Sequence, residues 1–217
     1  MYIPAHFAAA DADVRALLEN HGAADLVTAT DDGLLATFLP FVFEPDVGRH
    51  GALLGHLARN NDQWRRPAIG PPDSAAMVIV RGPDAYISPS FYVSKAEHPR
   101  VVPTWNYVTA HVYGRLVVQD DPGWLDALVR RLTARHETGS ERPWSVDDAP
   151  APFVAGQLRA IVGVEVIIGR IEAKLKLSQN RPAADIQSVI DGLQRRGDQA
   201  SAAAVDAARA TAVDRVR

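Results

Sequence analysis

The sequence predicts a mainly β protein with peripheral helices (class α+β), built as an antiparallel barrel. Two apolar runs, "DLVTAT" at 25–30 and "LLATFLPFVF" at 34–43, flank "DDG", which is a strong signal for a β-hairpin. In "GVEVIIGRIEAKLKL", residues 163–177, the apolar positions change phase around Gly169, as a β-bulge would cause. Bulges bend strands at barrel corners, so a long bent strand among hairpins favours a closed or nearly closed barrel over a layered α/β fold.

The other strands and one helix follow from apolar periodicity. Strands are predicted at 50–58, 75–82, 84–90 and 106–118, with a turn at Gly82–Pro83 between the second and third of them. The amphipathic pattern of "PGWLDALVRRLTARHE" predicts a helix over 122–137.

The regions outside this pattern are a loop and a tail. Residues 88–103 contain Pro89, Pro99 and Pro103 and are expected to form a long loop. The alanine-rich tail is expected to be helical, with a weak apolar stripe typical of a surface or interface helix. We therefore divide the chain into a barrel domain, 1–182, and a C-terminal helical extension, 183–217.

Composition narrows the function classes. The chain has 217 residues, 47% of them hydrophobic, and a formal net charge of -3, so bulk electrostatics attract neither DNA nor an anionic membrane. The absence of cysteine excludes disulfides, thiolate metal sites and a cysteine nucleophile. The first residues lack a secretory pattern and no apolar run is long enough for a membrane helix, so we expect a cytoplasmic protein without a membrane partner.

A candidate anion site follows the strand at 50–58. In "LLGHLARNNDQW", residues 53–64, His56 and Arg59 stand at the strand end, and Asn60 or Asn61 can open a helical turn. A guanidinium beside the free N–H groups of a helix start suits a phosphate. From spacing alone a solvated arginine after an edge strand is the favoured interpretation, and the anion site stays open as the other.

A dense aromatic segment lies at 102–114, "VPTWNYVTAHVYG". Strand alternation places Trp105, Tyr107 and Tyr113 on one face with Thr109 and His111, and it places Asn106 on the other face. Core packing explains the aromatic residues, but it explains a histidine and a threonine on the same face less well, because buried polar groups need partners. Core and pocket wall for a flat ligand both remain possible interpretations.

Two more segments are rich in polar groups. The run "GPDAYISPSFYVSK", 82–95, either closes over a ligand with Lys95 facing an anion or packs on the barrel as a stiff loop. The run "EAKLKLSQNRP", 172–182, ends in a series of hydrogen-bond donors that fits a site rim or a solvated strand end. Nucleotide-binding, zinc-protease and nucleophile-elbow motifs are absent from the sequence, and the seven histidines show no metal-ligand spacing. We therefore expect no metal site.

Several blocks, taken in order, resemble the PaiB-type, FMN-binding negative transcriptional regulators of bacteria. The matching blocks are "MYIP.HF" at the N-terminus, "ATFLPF" at 36–41, "GHLARNNDQW" at 55–64, "GPDAYISPSFY" at 82–92, "VPTWNYVTAHVYG" at 102–114 and "KLSQNR" at 176–181. The resemblance runs from residue 1 to about residue 190. It implies an FMN-binding split β-barrel, assembled as a homodimer with FMN at the subunit interface.

The resemblance also implies roles for individual residues. Ala36 and Thr37 would flank the flavin. The end of the next strand would hold the ribityl phosphate, with Arg59 as the main charge partner; its residues are His56, Leu57, Ala58, Arg59 and Asn60. Trp105 and Asn106 would lie near the isoalloxazine. The end of the last strand would be close to the same site through Ser178, Gln179 and Asn180.

Three functional hypotheses follow. The first is a flavin-dependent redox protein or flavin sensor with an unknown small-molecule redox partner, in which His111 is the candidate catalytic residue for proton relay. The second is a direct DNA-binding repressor, which we doubt because no helix-turn-helix pattern is present and the basic pairs Arg65–Arg66, Arg130–Arg131 and Arg195–Arg196 fit solvated faces. The third is a heme protein with His56 or His111 as axial ligand.

Overall fold

The computed structural model describes residues 1–66, 68–71 and 74–214, and it describes no side chains over 211–214. The last three residues of the predicted C-terminal extension lie outside the described residues. The strands are β1 (Ala23–Thr30), β2 (Gly33–Glu44), β3 (Ala52–Ala58), β4 (Ala76–Ile87), β5 (Thr104–Gln119) and β6 (Ile161–Lys176). The α-helices are α1 (Asp11–Asn20), α2 (Pro122–Glu137), α3 (Ala151–Arg159), α4 (Ala183–Arg195) and α5 (Gln199–Asp214).

The six strands form a closed barrel in the order β1-β2-β3-β6-β5-β4. β1 and β2 pair in antiparallel register from Ala23 opposite Pro40 to Thr30 opposite Gly33. Asp31 and Asp32 make the turn, and Gly33 has a φ of 110°, a backbone conformation that suits glycine. The predicted hairpin and the predicted closed barrel are both confirmed.

The predicted change of phase in the last strand is also confirmed. The alternately buried residues of β6 are Val162, Val164, Val166 and Ile168, and beyond them Ala173 is the next buried apolar residue. Gly169 and Arg170 are exposed in succession, and beyond them the buried apolar residues, Ala173 and Leu177, stand at odd numbers, while Ile171 and Leu175 are half-buried and Lys174 is buried as well.

The predicted turn at Gly82–Pro83 is wrong, because β4 runs without interruption through both residues. A Cβ atom on Gly82 would lie 2.9 Å from the Val108 side chain, so the glycine permits a close approach of β5. A glycine followed by proline signals a turn in a sequence, and here close packing is the reason for the glycine.

The helices agree only in part with the sequence prediction. α2 occupies the predicted range, and the side chain of Asp121 caps it by accepting a hydrogen bond from the Trp124 amide at 2.8 Å. α3 had no counterpart in the sequence prediction. No helix among the described residues is long and apolar enough to cross a membrane.

Two compact units can be distinguished in the chain. The first contains Met1–Leu17, Arg81–Ala110 and the chain from Ala173 onward, and the second contains Leu18–Val80 and His111–Glu172. In the first unit, α4 and α5 bury a common apolar cluster against the end of β4 and the turn that follows it, with these members: Ala85, Ile87, Phe91, Tyr92, Leu177, Ile186, Val189, Ile190, Leu193, Ala202, Val205 and Ala208. The expectation of a weak apolar stripe in the tail is therefore wrong for α4. The division at residue 182 remains a prediction.

Candidate functional site

The turn after β3 is held in place by a buried glutamine. A single helical turn, Asp62–Trp64, begins after Asn61, whose side chain accepts a hydrogen bond from the Gln63 amide at 2.9 Å. This confirms the predicted helical turn at Asn60 or Asn61. The Gln63 side chain is only 2% exposed, and its amide nitrogen donates to the Leu26 carbonyl and to Thr28 Oγ1, each at 3.1 Å.

Thr37 joins the same network from β2. Its hydroxyl donates to Gln63 Oε1 at 2.6 Å and accepts from Asn61 Nδ2 at 2.9 Å. The predicted site residue Thr37 is thus brought together with the polar turn, and its side chain is committed to holding that turn. Gln63 had no role in the sequence analysis, since a glutamine in a polar run gives no sign that it will be buried.

Arg59 has a structural role that the sequence did not indicate. Its Nε donates to the Arg159 carbonyl and its Nη2 to the Ile161 carbonyl, both at 2.8 Å, which joins the turn to the end of α3 and the start of β6. The guanidinium also forms a two-point ion pair with Asp120, with Nη1 at 3.0 Å from Oδ2. The hydrogen bond from Arg59 holds the pKa of the Asp120 carboxyl below its usual value. A phosphate would therefore have to displace Asp120 to reach Arg59.

The other predicted residues of this strand end differ in exposure. Leu57 is 2% exposed, so its side chain belongs to the core and cannot contact a cofactor. Ala58 and Asn60 are exposed. Strand alternation turns the Leu57 side chain inward, and the expected phosphate contact of this strand end remains a prediction.

His56 faces α2. It lines a cavity of about 310 Å³ that is bounded by Pro40 on β2 and by residues on and after α2, namely Val129, Leu132, Thr133, His136, Glu137 and Trp144. Burial lowers the pKa of His56 below its ordinary value, so the imidazole is neutral near neutral pH.

The outer face of β2 is apolar and open. Leu34 and Phe38 are 76% and 69% exposed, and Ala36 lies between them on the same face. The adjoining strands continue this face, because Ala29 and Val27 on β1 pair with Leu34 and Ala36, and Val27 in turn pairs with Met77 on β4. We call these residues (Leu34, Ala36, Phe38, Val27, Ala29 and Met77) the apolar sheet face. The predicted site residue Ala36 lies at its centre.

In the first unit, β5 turns its aromatic residues outward. Trp105 is 50% exposed, whereas Asn106 on the opposite face is 1% exposed. The indole of Trp105 donates to Asp84 Oδ1 at 2.8 Å, and the ring meets Tyr86 edge-on at a centroid distance of 6.2 Å. Core packing is therefore the wrong interpretation for Trp105, and the accessible ring agrees with the pocket-wall interpretation.

Asn106 and Ser178, both expected to lie near the flavin, contact each other. Asn106 Nδ2 donates to Ser178 Oγ at 2.9 Å, and Ser178 Oγ donates to Asn106 Oδ1 at 3.2 Å. Both side chains are buried, so they position β5 and the end of β6 and do not face an open surface. Gln179 bonds locally to the Leu175 carbonyl at 2.6 Å, and Asn180 is exposed.

The N-terminal block "MYIP.HF" contacts a buried lysine. Lys174 is 9% exposed, its Nζ donates to the Tyr2 carbonyl at 3.2 Å, and it lies 5.5–5.9 Å from the ring centroids of Tyr2, Phe7 and Tyr107. A bridge between Ala8 and Lys174 adds a backbone contact. The N-terminal segment thus supplies the aromatic surroundings that a buried ammonium group requires. No local pattern in the sequence connects the two, because Tyr2 and Lys174 are 172 residues apart.

His111 lies in the second unit, on the partly exposed face of β5. Its ring lies edge-on to the Tyr113 ring at a centroid distance of 6.4 Å. The Arg170 guanidinium lies over the Tyr113 ring, 3.8 Å from its centroid. Burial lowers the pKa of His111, which keeps it neutral and able to accept a proton. Among the described residues there is no cluster of three or more side chains that could hold a metal ion.

The chain matches the model of a known domain family. The model described as "Putative FMN-binding domain" matches residues 1–170. The range contains the strands from β1 to most of β6 and the polar turn after β3. The block "KLSQNR" at 176–181 lies beyond it.

Curated relatives cover most of the chain. The chain is 32% identical over 198 residues to "Protease synthase and sporulation protein PAI 2" of Bacillus subtilis, which covers 89% of each protein. It is 34% identical over 164 residues to an uncharacterized protein of Aspergillus fumigatus, with 68% of this chain and 62% of that protein covered.

Solved structures agree on the fold. A conserved hypothetical protein, Rv2991 of Mycobacterium tuberculosis, superposes with a TM-score of 0.57 at 14% identity, covering 84% of this chain and 94% of the other. The flavocytochrome Anf3 of Azotobacter vinelandii superposes with a TM-score of 0.51 at 13% identity, covering 76% and 67%. These likenesses confirm the split-barrel fold.

Proposed function

The chain belongs to the FMN-binding family of PaiB-type proteins, and on this premise we propose that it works as a homodimeric split barrel with FMN at the subunit interface. FMN as the cofactor follows from the family itself. The relative from Aspergillus fumigatus is fungal, so the expectation that the family is bacterial is too narrow. The observation that carries the proposal is the apolar sheet face beside the polar turn after β3.

The second unit offers both kinds of surface that FMN requires. The apolar sheet face suits a flat ring system, with Ala36 and Phe38 at its centre. Close to this face, the Thr37 hydroxyl donates to the Gln63 side chain and accepts a hydrogen bond from Asn61. These bonds hold the polar turn after β3 in place. Three guanidinium groups surround this turn, and each is paired with an exposed carboxylate, in the pairs Arg59–Asp120, Arg65–Asp62 and Arg66–Asp32. Exposed ion pairs contribute little stability, so a phosphate dianion can compete for these arginines.

A second copy of the chain is the occupant that best explains the open sheet face. Leu34, beside the hairpin turn, and Phe38, further along β2, are both strongly exposed, and monomeric proteins rarely expose large contiguous apolar patches. A two-fold interface brings the same patch of each subunit together, which suits a self-complementary apolar face. The proximity of Trp105 to the isoalloxazine remains a prediction.

FMN supplies the electron and hydride chemistry when it is bound. The residues of the chain bind it, orient it and exclude water, and His111, whose lowered pKa keeps the imidazole neutral, is the candidate residue for proton relay. We propose that this serves either a redox reaction with a small-molecule partner or a flavin-linked, indirect control of transcription. We also propose a cytoplasmic location.

Direct DNA binding has little support in the contacts of the basic pairs. Arg130 bonds to Asp126 and Asp147, and Arg131 forms an ion pair with Glu44. Arg196 lies over the Phe91 ring at 4.6 Å. These arginines are engaged with acidic or aromatic neighbours, which favours an indirect regulatory role.

The test compares two exposed phenylalanines of the second unit. Phe38 lies on the apolar sheet face, and Phe153, 58% exposed, lies on α3. We expect Phe38→Glu to give a monomer that loses FMN on gel filtration, because a carboxylate would be buried at the interface, and we expect Phe153→Glu to behave as the wild type. A Phe38→Glu protein that remained dimeric and retained FMN would overturn the proposed interface.

A further inference from the structure

The first unit contains a cavity that the flavin proposal does not use. Its volume is about 350 Å³, and it lies between the single helical turn Val93–Ala96, the chain that follows this turn, and the start of α4. Its lining includes Ser94, His98, Arg100, Val101, Arg181 and Asp185. Pockets of this size accommodate small metabolites.

One wall of the cavity is rigid. Asp185 is 1% exposed, and its two carboxylate oxygens accept hydrogen bonds from the Ser94 amide at 3.0 Å and the Ser94 hydroxyl at 2.7 Å. Asp185 thereby joins α4 to the turn Val93–Ala96. The segment 88–103, expected from its prolines to be a long loop, is thus anchored at this point.

Two arginines of the lining have no acidic partner among the described residues. Neither Arg100 nor Arg181 forms an ion pair within the part of the chain that the structure describes, unlike Arg59, Arg65 and Arg66 around the turn after β3. Arg181 is oriented by Tyr92, because its guanidinium lies over that ring at 4.6 Å. The Tyr92 hydroxyl is buried and has no hydrogen-bond partner of good geometry among the described residues.

The remaining lining defines the ligand. Val93, Val101 and Pro182 contribute apolar surface beside the two arginines and His98. The acidic Glu97 lies on the same cavity and disfavours a second negative charge on the ligand. We propose that this cavity binds a small organic acid with one carboxylate and a short hydrocarbon part, the carboxylate meeting Arg100 and Arg181 and the hydrocarbon meeting the valines.

The proposal does not depend on the flavin, so it is tested on the purified full-length chain with ligands that carry no flavin. Butyrate, hexanoate and benzoate are titrated by calorimetry, with succinate as a dianionic comparison and inorganic phosphate as a purely ionic one. We expect at least one monocarboxylate to bind saturably and more tightly than succinate or phosphate. Equal binding of phosphate, or no saturable binding of any monocarboxylate, would overturn the proposal.

Variants locate the binding. Arg181→Gln and, separately, Arg100→Gln are expected to weaken monocarboxylate binding by at least about tenfold, because each removes a charge-assisted hydrogen bond. Arg181→Lys keeps the charge and should retain part of the affinity. Arg115→Gln, an exposed arginine of β5 in the other unit, is the matched control and should bind as the wild type. Unchanged binding in Arg100→Gln, which is exposed and expected to fold normally, would place the ligand elsewhere.

Discussion

Asn106 and Ser178 form a closed pair inside the first unit, with the amide nitrogen donating to the serine hydroxyl at 2.9 Å and that hydroxyl donating back to the amide oxygen at 3.2 Å. Ser178 has a φ of 67°, the left-handed region that glycine adopts most easily. Serine is present here in place of glycine because its hydroxyl accepts a hydrogen bond from the buried side-chain amide of Asn106, 72 residues away in sequence. The pair fixes the end of β6 relative to the strand that presents Trp105.

This pair gives the first prediction. Ser178→Ala removes the hydroxyl and leaves the Asn106 amide buried without a partner, which should cost about 1–3 kcal/mol of unfolding free energy. Ser178→Gly loses the same bond but relieves a backbone strain on the order of 1 kcal/mol, so it should be the less destabilised of the two. Urea unfolding of both variants measures the order. A Ser178→Ala variant as stable as the wild type would show that the pair contributes nothing to the free energy of unfolding.

Gln63 gives the second prediction. Gln63→Leu keeps the size of the side chain but leaves Thr37 and the Leu26 carbonyl without their buried partner, so we expect a loss of about 3 kcal/mol and weaker FMN binding. The matched control is Gln157→Leu on the exposed surface of α3, which should change stability by less than about 0.5 kcal/mol. The account would be contradicted if Gln63→Leu bound FMN as tightly as the wild type and unfolded at the same urea concentration.

The third prediction concerns acid stability and His21. Its Nδ1 contacts the Leu18 carbonyl at 2.7 Å, its Nε2 is buried without a described partner, and Arg135 donates to its backbone carbonyl. Burial first, and then the charge of Arg135, lower the pKa of His21. The unfolded chain therefore takes up this proton more readily, so stability should be full above about pH 6.5 and fall as pH decreases through the folded-state pKa.

The variant His21→Asn keeps an N–H donor for the Leu18 carbonyl and removes the titration. Unfolding free energy measured from pH 8 to pH 5 should therefore fall less steeply in His21→Asn than in the wild type. His56 and His111 contribute in the same direction, since burial lowers the pKa of each. Parallel curves for the two proteins would show that His21 stays neutral in both states.

The fourth prediction concerns the N-terminal segment. Lys174→Met keeps the apolar stem but removes the cation that contacts Tyr2, Phe7 and Tyr107, an interaction worth about 0.5–2 kcal/mol. Amide exchange of residues 1–8 should accelerate, while exchange in α2 should stay unchanged. Lys174→Arg, which retains the charge, serves as the control. Equal protection of residues 1–8 in Lys174→Met would mean that the backbone bridge at Ala8 holds the segment alone.

Much of the fold was accessible from local pattern. The β1–β2 hairpin, helix α2 and the phase change at Gly169 each arise from residues close in sequence, so periodicity and turn chemistry were enough. Gly82 was misinterpreted because its role depends on Val108, which approaches only in the folded chain.

The candidate site was harder to predict from the sequence, because its contacts also join residues that are far apart in the chain. The acceptors for Arg59 come from Asp120, Arg159 and Ile161, about 60 to 100 residues away, and no local pattern announces them. The outward orientation of Trp105 required knowing which face of β5 is buried, and alternation alone cannot choose between two faces. Family resemblance supplied the cofactor, whereas the contacts assigned positioning roles to Asn106 and Ser178.

The measurement that tests the central claim most directly is the visible absorption spectrum of the freshly purified protein, repeated after incubation with FMN and removal of free ligand. The account predicts an FMN spectrum with a band in the blue and an equimolar amount of FMN retained per subunit. An intense Soret band would show that the barrel holds heme, with His56 or His111 as the candidate ligand. A protein that retained no chromophore after exposure to FMN would contradict the account.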